Sequence, residues 1–204
     1  MAHIHIYDIQ EEEKLILAEG LKEHTCTFYS QPLSLETANQ EAEIISVFVS
    51  STVTGEMISR MPNLKLIACR SAGYNNIDMH TAEERGIKVV VVPSYGEHTV
   101  AEYTFSLLLA LTRKISESIK VVKESICLLP HTIRGVDLCG KTLGVVGTGK
   151  IGKRVIAIAR GFGMNVIAYD MYEDKEQAHL LGFMYVTLED LLKKSDVISL
   201  HTPL

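Results

Sequence analysis

The 204-residue sequence has only four cysteines, Cys26, Cys69, Cys127 and Cys139, and no two of them form a CxxC pair or a zinc-like spacing. They read as free thiols of a reducing compartment, not as a disulfide framework. Basic runs that would track a nucleic-acid backbone are missing: 20 Lys and Arg stand against 25 Asp and Glu, a net charge of −5. No nucleic-acid partner is expected. The opening MAHIHIYDIQEEEK lacks the basic and apolar regions of a signal peptide. The densest apolar patch, Phe105 to Leu111, is far shorter than the roughly 20 residues that cross a bilayer. A cytoplasmic protein with no membrane partner is the expectation. Low-complexity tracts and internal repeats with matching motifs are also missing.

What is present suits a globular chain with a real core: 47% of residues are apolar and 22% charged. The length exceeds one minimal core yet is short for two complete α/β domains, so one and a half to two units are expected. Near-continuous apolar runs recur at HIHIY (3–7), TCTFYS (25–30), IISVFVS (44–50), LKLIACR (64–70) and IKVVVV (87–92). Such runs suit strands covered on both faces by helices, hence a parallel α/β sheet. Asp78 is placed to cap a helix over Met79 to Arg85, and Gly86 to close it.

Residues 1–96 are read as a first domain. Gly96 to Ser125 reads as one long helix opened by a Thr99/Glu102 capping box, apolar nearly all round at first and then striped at Ile115, Ile119 and Val122. With the loop 125–140, which holds Pro130, Gly135 and Gly140, residues 97–140 form a bridge between domains. From Lys141 the pattern becomes strand, helix, strand, helix, helix, strand: Leu143–Gly147, Lys150–Phe162, Asn165–Asp170, Lys175–Leu181, Thr187–Lys194 and Asp196–His201. Residues 141–204 are the second domain.

Its first turn reads LGVVGTGKIGKRV, with Gly147, Gly149 and Gly152 in G-x-G-x-x-G spacing between a strand and a helix. The inward stripe of that helix is read as Ile151, Val155, Ile158, Ala159 and Phe162, and Asp170 ends the next strand. In this context Gly147 serves a tight turn, Gly149 lets backbone approach a pyrophosphate, and Gly152 lets helix pack on strand. The helix N-terminus offers amides and partial positive charge to phosphates. Asp170 would accept hydrogen bonds from an adenosine ribose and repel a 2′-phosphate, which favours NAD over NADP. The competing reading is a glycine-rich turn with no ligand. Lys150 reads either as a phosphate contact or as a solvated lysine.

GKTLGVVGTGKIGKRV, GFGMNVIAYD and SDVISLHTPL resemble the cofactor domain of the D-isomer-specific 2-hydroxyacid dehydrogenases. CRSAGYNNID and VPSYGEHTVAEYTFSLLLALTRK resemble the substrate loops and interdomain helix of the same family, so the likeness is strong over about residues 64–204. It implies a flavodoxin-like substrate domain followed by part of a Rossmann NAD-binding domain. NAD is the implied cofactor, and a small 2-oxo or 2-hydroxy acid is the implied substrate. By the same resemblance, backbone amides of the Ser71-Ala72-Gly73 loop meet the substrate carboxylate and Tyr95 stands near its side chain. Thr148, Lys150 and Ile151 fall with the motif glycines at the pyrophosphate, and His201, Thr202 and Pro203 flank the nicotinamide. A homodimer is implied too. The family's catalytic arginine, glutamate and histidine follow the HTPL segment, so they are expected beyond Leu204 and the chain is expected to be an inactive portion of a longer protein. His98 and His201 do not match the acid–base position and read as structural or solvent-facing. Arg70 and Arg134 read as surface or hinge charges. The residues alone leave open a nucleotide-binding module without turnover and an inert fragment.

Overall fold

The computed structural model describes residues 1–124 and 133–202. Pro203, Cys127, Pro130 and the rest of 125–132 lie outside the described residues. The chain divides into two compact units, Met1–Tyr95 and Gly96–Leu204.

In the first unit, β1 (His3–Ile6), β2 (Thr25–Phe28), β3 (Ile44–Val47), β4 (Leu66–Cys69) and β5 (Lys88–Val90) alternate with α1 (Glu11–Gly20), α2 (Gly55–Arg60) and α3 (Met79–Glu84). All pairings are parallel, in the order β2-β1-β3-β4-β5, the flavodoxin-like arrangement. The apolar runs become strands because helices cover both sheet faces: Ile45, Val47 and Ile67 are fully buried on one with Ile58 of α2 and Ala82 of α3, and Ile4 and Ile6 are buried on the other with Leu17 of α1 packed against them. Asp78 caps α3 by accepting from the Thr81 amide at 3.1 Å, and Gly86 follows at φ 67°.

Arg70 is a brace rather than a surface charge. Its half-buried guanidinium donates to Ser46 Oγ (3.0 Å), to the Tyr7 carbonyl (2.8 Å) and to the Asp8 carbonyl (2.9 Å), tying together the carboxyl ends of β1, β3 and β4.

The second unit contains α4 (Glu97–Thr112), α5 (Ile115–Glu124), β6 (Thr142–Val146), α6 (Lys150–Gly161), β7 (Asn165–Tyr169), α7 (Lys175–Leu181), β8 (Met184–Tyr185), α8 (Leu188–Lys194) and β9 (Val197–Leu200). The parallel order β8-β7-β6-β9 is 3-2-1-4 counted within the unit. That is the order of the first four strands of a dinucleotide-binding sheet.

Two helix expectations are corrected. The long helix over 96–125 is two helices, broken at Lys114, which adopts φ 54°. The carbonyl of Thr112, which a continuing helix would use itself, instead accepts the amide of Val136 at 2.8 Å. α4 also begins at Glu97 behind Gly96, so Thr99 is its third residue and the Thr99/Glu102 box does not form. α4 belongs by its contacts to the second unit, where Phe105 stacks on Phe162 with ring centroids 5.3 Å apart. The inward stripe of α6 holds at Val155 and Ala159, which are buried, and at Ile151 and Ile158, which pack partly buried on the same core; Ile156 joins it, and Phe162 remains 40% exposed beside Phe105.

Among the described residues no helix is long and apolar enough to cross a membrane. No group of three or more His, Cys, Asp or Glu among them is placed to hold a metal.

Candidate functional site

In the second sheet the order reverses between β6 and β9, and open α/β sheets hold ligands outside the carboxyl ends of strands at such a point. There β6 ends in the glycine loop. Gly147 has φ 92°, which L side chains rarely adopt, and a Cβ there would stand 2.6 Å from the His201 carbonyl oxygen. A Cβ on Gly152 would collide with the Gly147 carbonyl, so this glycine seats α6 on the turn. Gly149 differs: a Cβ there would meet nothing within 4 Å. No neighbour in the fold requires its lack of a side chain, and the space a Cβ would take is open to another molecule.

Helices α2, α3, α7 and α8 begin on side-chain caps from Thr54, Asp78, Asp174 and Thr187. α6 begins on Gly149, which brings no capping side chain to its first turn. Its positive end therefore faces the side of the loop where Gly149 leaves room. Lys150 lies 3.6 Å from Glu97 Oε1, and Ile151 packs partly buried on the core of the unit.

Asp170 follows β7 with its carboxylate turned to the loop. Oδ2 accepts from the Thr148 amide at 2.6 Å and the Thr148 hydroxyl at 3.0 Å, while Oδ1 accepts from the Tyr172 amide at 2.9 Å. The Thr148 amide, then the Tyr172 amide, hold this carboxyl below the usual aspartate range against a smaller opposing effect of burial. It stays ionised and acceptor-only near neutral pH. His201 closes β9, with its amide on the Val146 carbonyl (2.8 Å) and its Nε2 2.7 Å from Ser199 Oγ. Burial lowers its pKa, so the ring is neutral at pH 7.

Gly147, Thr148, Gly149, Lys150, Ile151, Gly152, Asp170, His201 and Thr202 thus gather at one sheet edge. The bare loop and its acid fit the pyrophosphate and ribose of a dinucleotide. Glycine was also required at Gly144, unremarked in the sequence, where a Cβ would collide with Ser195 and Leu191 of the α8 segment.

Ala72, Gly73 and Tyr95 lie in the first unit. Ala72 and Gly73 are exposed just after β4, beside buried Ser71, whose hydroxyl donates to the Gly73 carbonyl at 2.8 Å. Tyr95 lines a cavity of about 440 Å³ with Phe48, Val92, Arg70, Asp8, Gln10 and Glu13. Asp8, at φ 55°, accepts from Ser50 Oγ (2.6 Å) and Ser51 Oγ, and Glu13 accepts the Gln10 amide at 2.9 Å. Of this polar set the sequence points only to Arg70, because Asp8, Gln10 and Glu13 carry no motif and lie about 60 residues away from it.

The second unit has the strand order of a dinucleotide-binding fold, with the glycine loop and acid that define that class. Residues 105–204 match the NAD binding domain of the D-isomer specific 2-hydroxyacid dehydrogenases. A 2-hydroxyacid dehydrogenase homolog of Zymomonas mobilis is 41% identical over 89% of this chain and 56% of its own length. The D-lactate dehydrogenase of Escherichia coli is 34% identical over 98% of this chain and 62% of its own. Among solved structures, the D-lactate dehydrogenase of Aquifex aeolicus complexed with NAD and lactic acid superposes with TM-score 0.89 at 36% identity, covering 98% of this chain and 61% of that one. Over residues 105–204 the chain carries the NAD binding domain of the D-isomer-specific 2-hydroxyacid dehydrogenase family. It spans little more than half the length of the curated relatives it matches.

Proposed function

We propose that this protein is an NAD-dependent D-2-hydroxyacid dehydrogenase, and specifically a D-lactate dehydrogenase that reduces pyruvate or a similar small 2-oxo acid. The observation that carries the reading is the loop 147–152 with Asp170: a glycine whose missing side chain no neighbour in the fold requires, beside an ionised acid held at the same edge. The bound nicotinamide supplies the hydride for the substrate carbonyl carbon. The chain's own residues bind and orient. Gly149 and the first turn of α6 take the pyrophosphate, Asp170 takes the adenosine ribose, and His201 and Thr202 flank the nicotinamide. Amides of Ala72 and Gly73 take the substrate carboxylate, and Tyr95 stands over its side chain. Residues 1–96 serve the substrate and 141–204 the cofactor, with 97–140 as the link. A homodimer in the cytoplasm is part of the same reading.

The family's proton-transferring histidine with its glutamate, and its substrate-orienting arginine, have no counterpart among the motifs matched here. The 204 residues alone are therefore proposed to bind NAD without turnover. This second reading is favoured by the 56% and 62% coverage of the two curated relatives. The test is a chimera that joins these residues to the portion of the Escherichia coli relative that the match leaves out, assayed by NADH oxidation with pyruvate. The expected product is D-lactate, with no turnover from the 204 residues by themselves. A chimera that binds NADH but reduces no 2-oxo acid contradicts the assignment.

A further inference from the structure

We infer that Tyr185 is a positioning residue for the carboxylate that receives the cofactor's ribose, acting through the hydroxyl of Thr148. The inference rests on the ribose reading of Asp170 given above. Tyr185 Oη lies 2.8 Å from Thr148 Oγ1, which lies 3.0 Å from Asp170 Oδ2, and the Asp174 amide lies 3.1 Å from Tyr185 Oη.

The direction of every bond in this series is forced. A carboxylate only accepts and a backbone N–H only donates. Thr148 must spend its single hydroxyl proton on Asp170, so it accepts from Tyr185, and Tyr185, having donated, accepts from Asp174. The series runs one way, from the Asp174 amide to Tyr185, to Thr148, to Asp170, and each bond polarises the next.

Both of its ends are held. Asp174 caps α7 by accepting the Gln177 amide at 3.0 Å, and its other oxygen meets Lys153 Nζ at 2.7 Å, on the same α6 that the glycine loop opens. Thr148 is buried, at 4% exposure, so its hydroxyl depends on protein partners. The outcome is an asymmetric carboxylate. Both Thr148 bonds fall on Oδ2 and fill its two lone pairs, while Oδ1, which accepts the Tyr172 amide, has no bond to the loop and is the oxygen that faces sugar hydroxyls.

The Tyr185 ring packs edge-on against Phe183, centroids 5.1 Å apart, so Tyr185→Phe removes the hydroxyl and leaves the packing. Binding of NAD and of NADP, the titration of the Asp170 carboxyl by carbon NMR, and thermal stability are measured for the wild type, Tyr185→Phe, Asp170→Ala and the double variant. Expected for Tyr185→Phe is a loss of NAD affinity of about three- to tenfold, the worth of one hydrogen bond. NADP affinity should fall less, the Asp170 titration should rise, and stability should hold. In the Asp170→Ala background the same substitution should cost no further NAD affinity. Unchanged NAD affinity and Asp170 titration in Tyr185→Phe overturn the inference, as does a loss that persists in full without Asp170. Asp170→Ala binding NAD like the wild type overturns the ribose reading itself, and this inference with it.

Discussion

The two units carry parallel sheets of similar make, yet they treat their carboxyl edges in opposite ways. In the first, the edge is filled with its own polar side chains: Arg70 spans three strands, and Asp8 is engaged by Ser50 and Ser51. The groups that line its cavity are largely matched within the fold, and Phe48, Val92 and Tyr95 supply apolar wall. In the second, the edge is glycine and backbone, with one acid held at the rim. A sheet edge that satisfies itself leaves room only for a small ligand; a bare edge with a helix terminus behind it suits a long anion.

The sharpest way to break this contrast lies within the glycine loop. Gly149→Val should abolish NAD binding in titration calorimetry and leave thermal stability unchanged, because its side chain occupies only the outside space. Gly152→Val should destabilise the fold by about 3 kcal/mol in denaturant unfolding, because its side chain strikes the Gly147 carbonyl. If both variants lose stability, or both keep NAD, the division between packing and binding glycines is wrong. Next in size, Asp170→Ala should weaken NAD about ten- to hundredfold and narrow its preference over NADP, as loss of hydrogen bonds to a charged group implies.

Arg70→Met tests the opposite edge. Leaving the Tyr7 and Asp8 carbonyls without their donor should cost about 1–3 kcal/mol in unfolding, with NAD affinity intact. The smallest effect is on pH. Burial, then the neighbouring His3, lowers the pKa of His5 from 6.5. The unfolded chain then binds the proton more readily, so this contribution to stability is complete above pH 6.5 and declines as pH falls below it. His5→Gln should flatten that decline in unfolding curves taken across the acid range; an unaltered slope would assign it elsewhere.

Local features were legible in the sequence and distant ones were not. Strands were visible because burial on both faces forces unbroken apolar runs, and Asp78 was visible because a cap acts three residues away. The loop's three glycines were separable by role because each role is set by neighbours in the turn and the strand beside it. The helix break at Lys114 was hidden because its cause is the amide of Val136 on the Thr112 carbonyl. The bracing bonds of Arg70 were hidden because two of its acceptors lie 62 and 63 residues away. Tyr185, on a two-residue strand with no motif, meets Thr148 across 37 residues, and only the β7 to β8 pairing brings them together.

The most direct measurement is the change in backbone amide NMR signals of the 204-residue chain as NAD is added. Saturable shifts should centre on residues 147–152, Asp170 and His201, and vanish in Gly149→Val. Shifts confined to other residues, or a Gly149→Val chain that responds like the wild type, would contradict a dinucleotide seated on this edge.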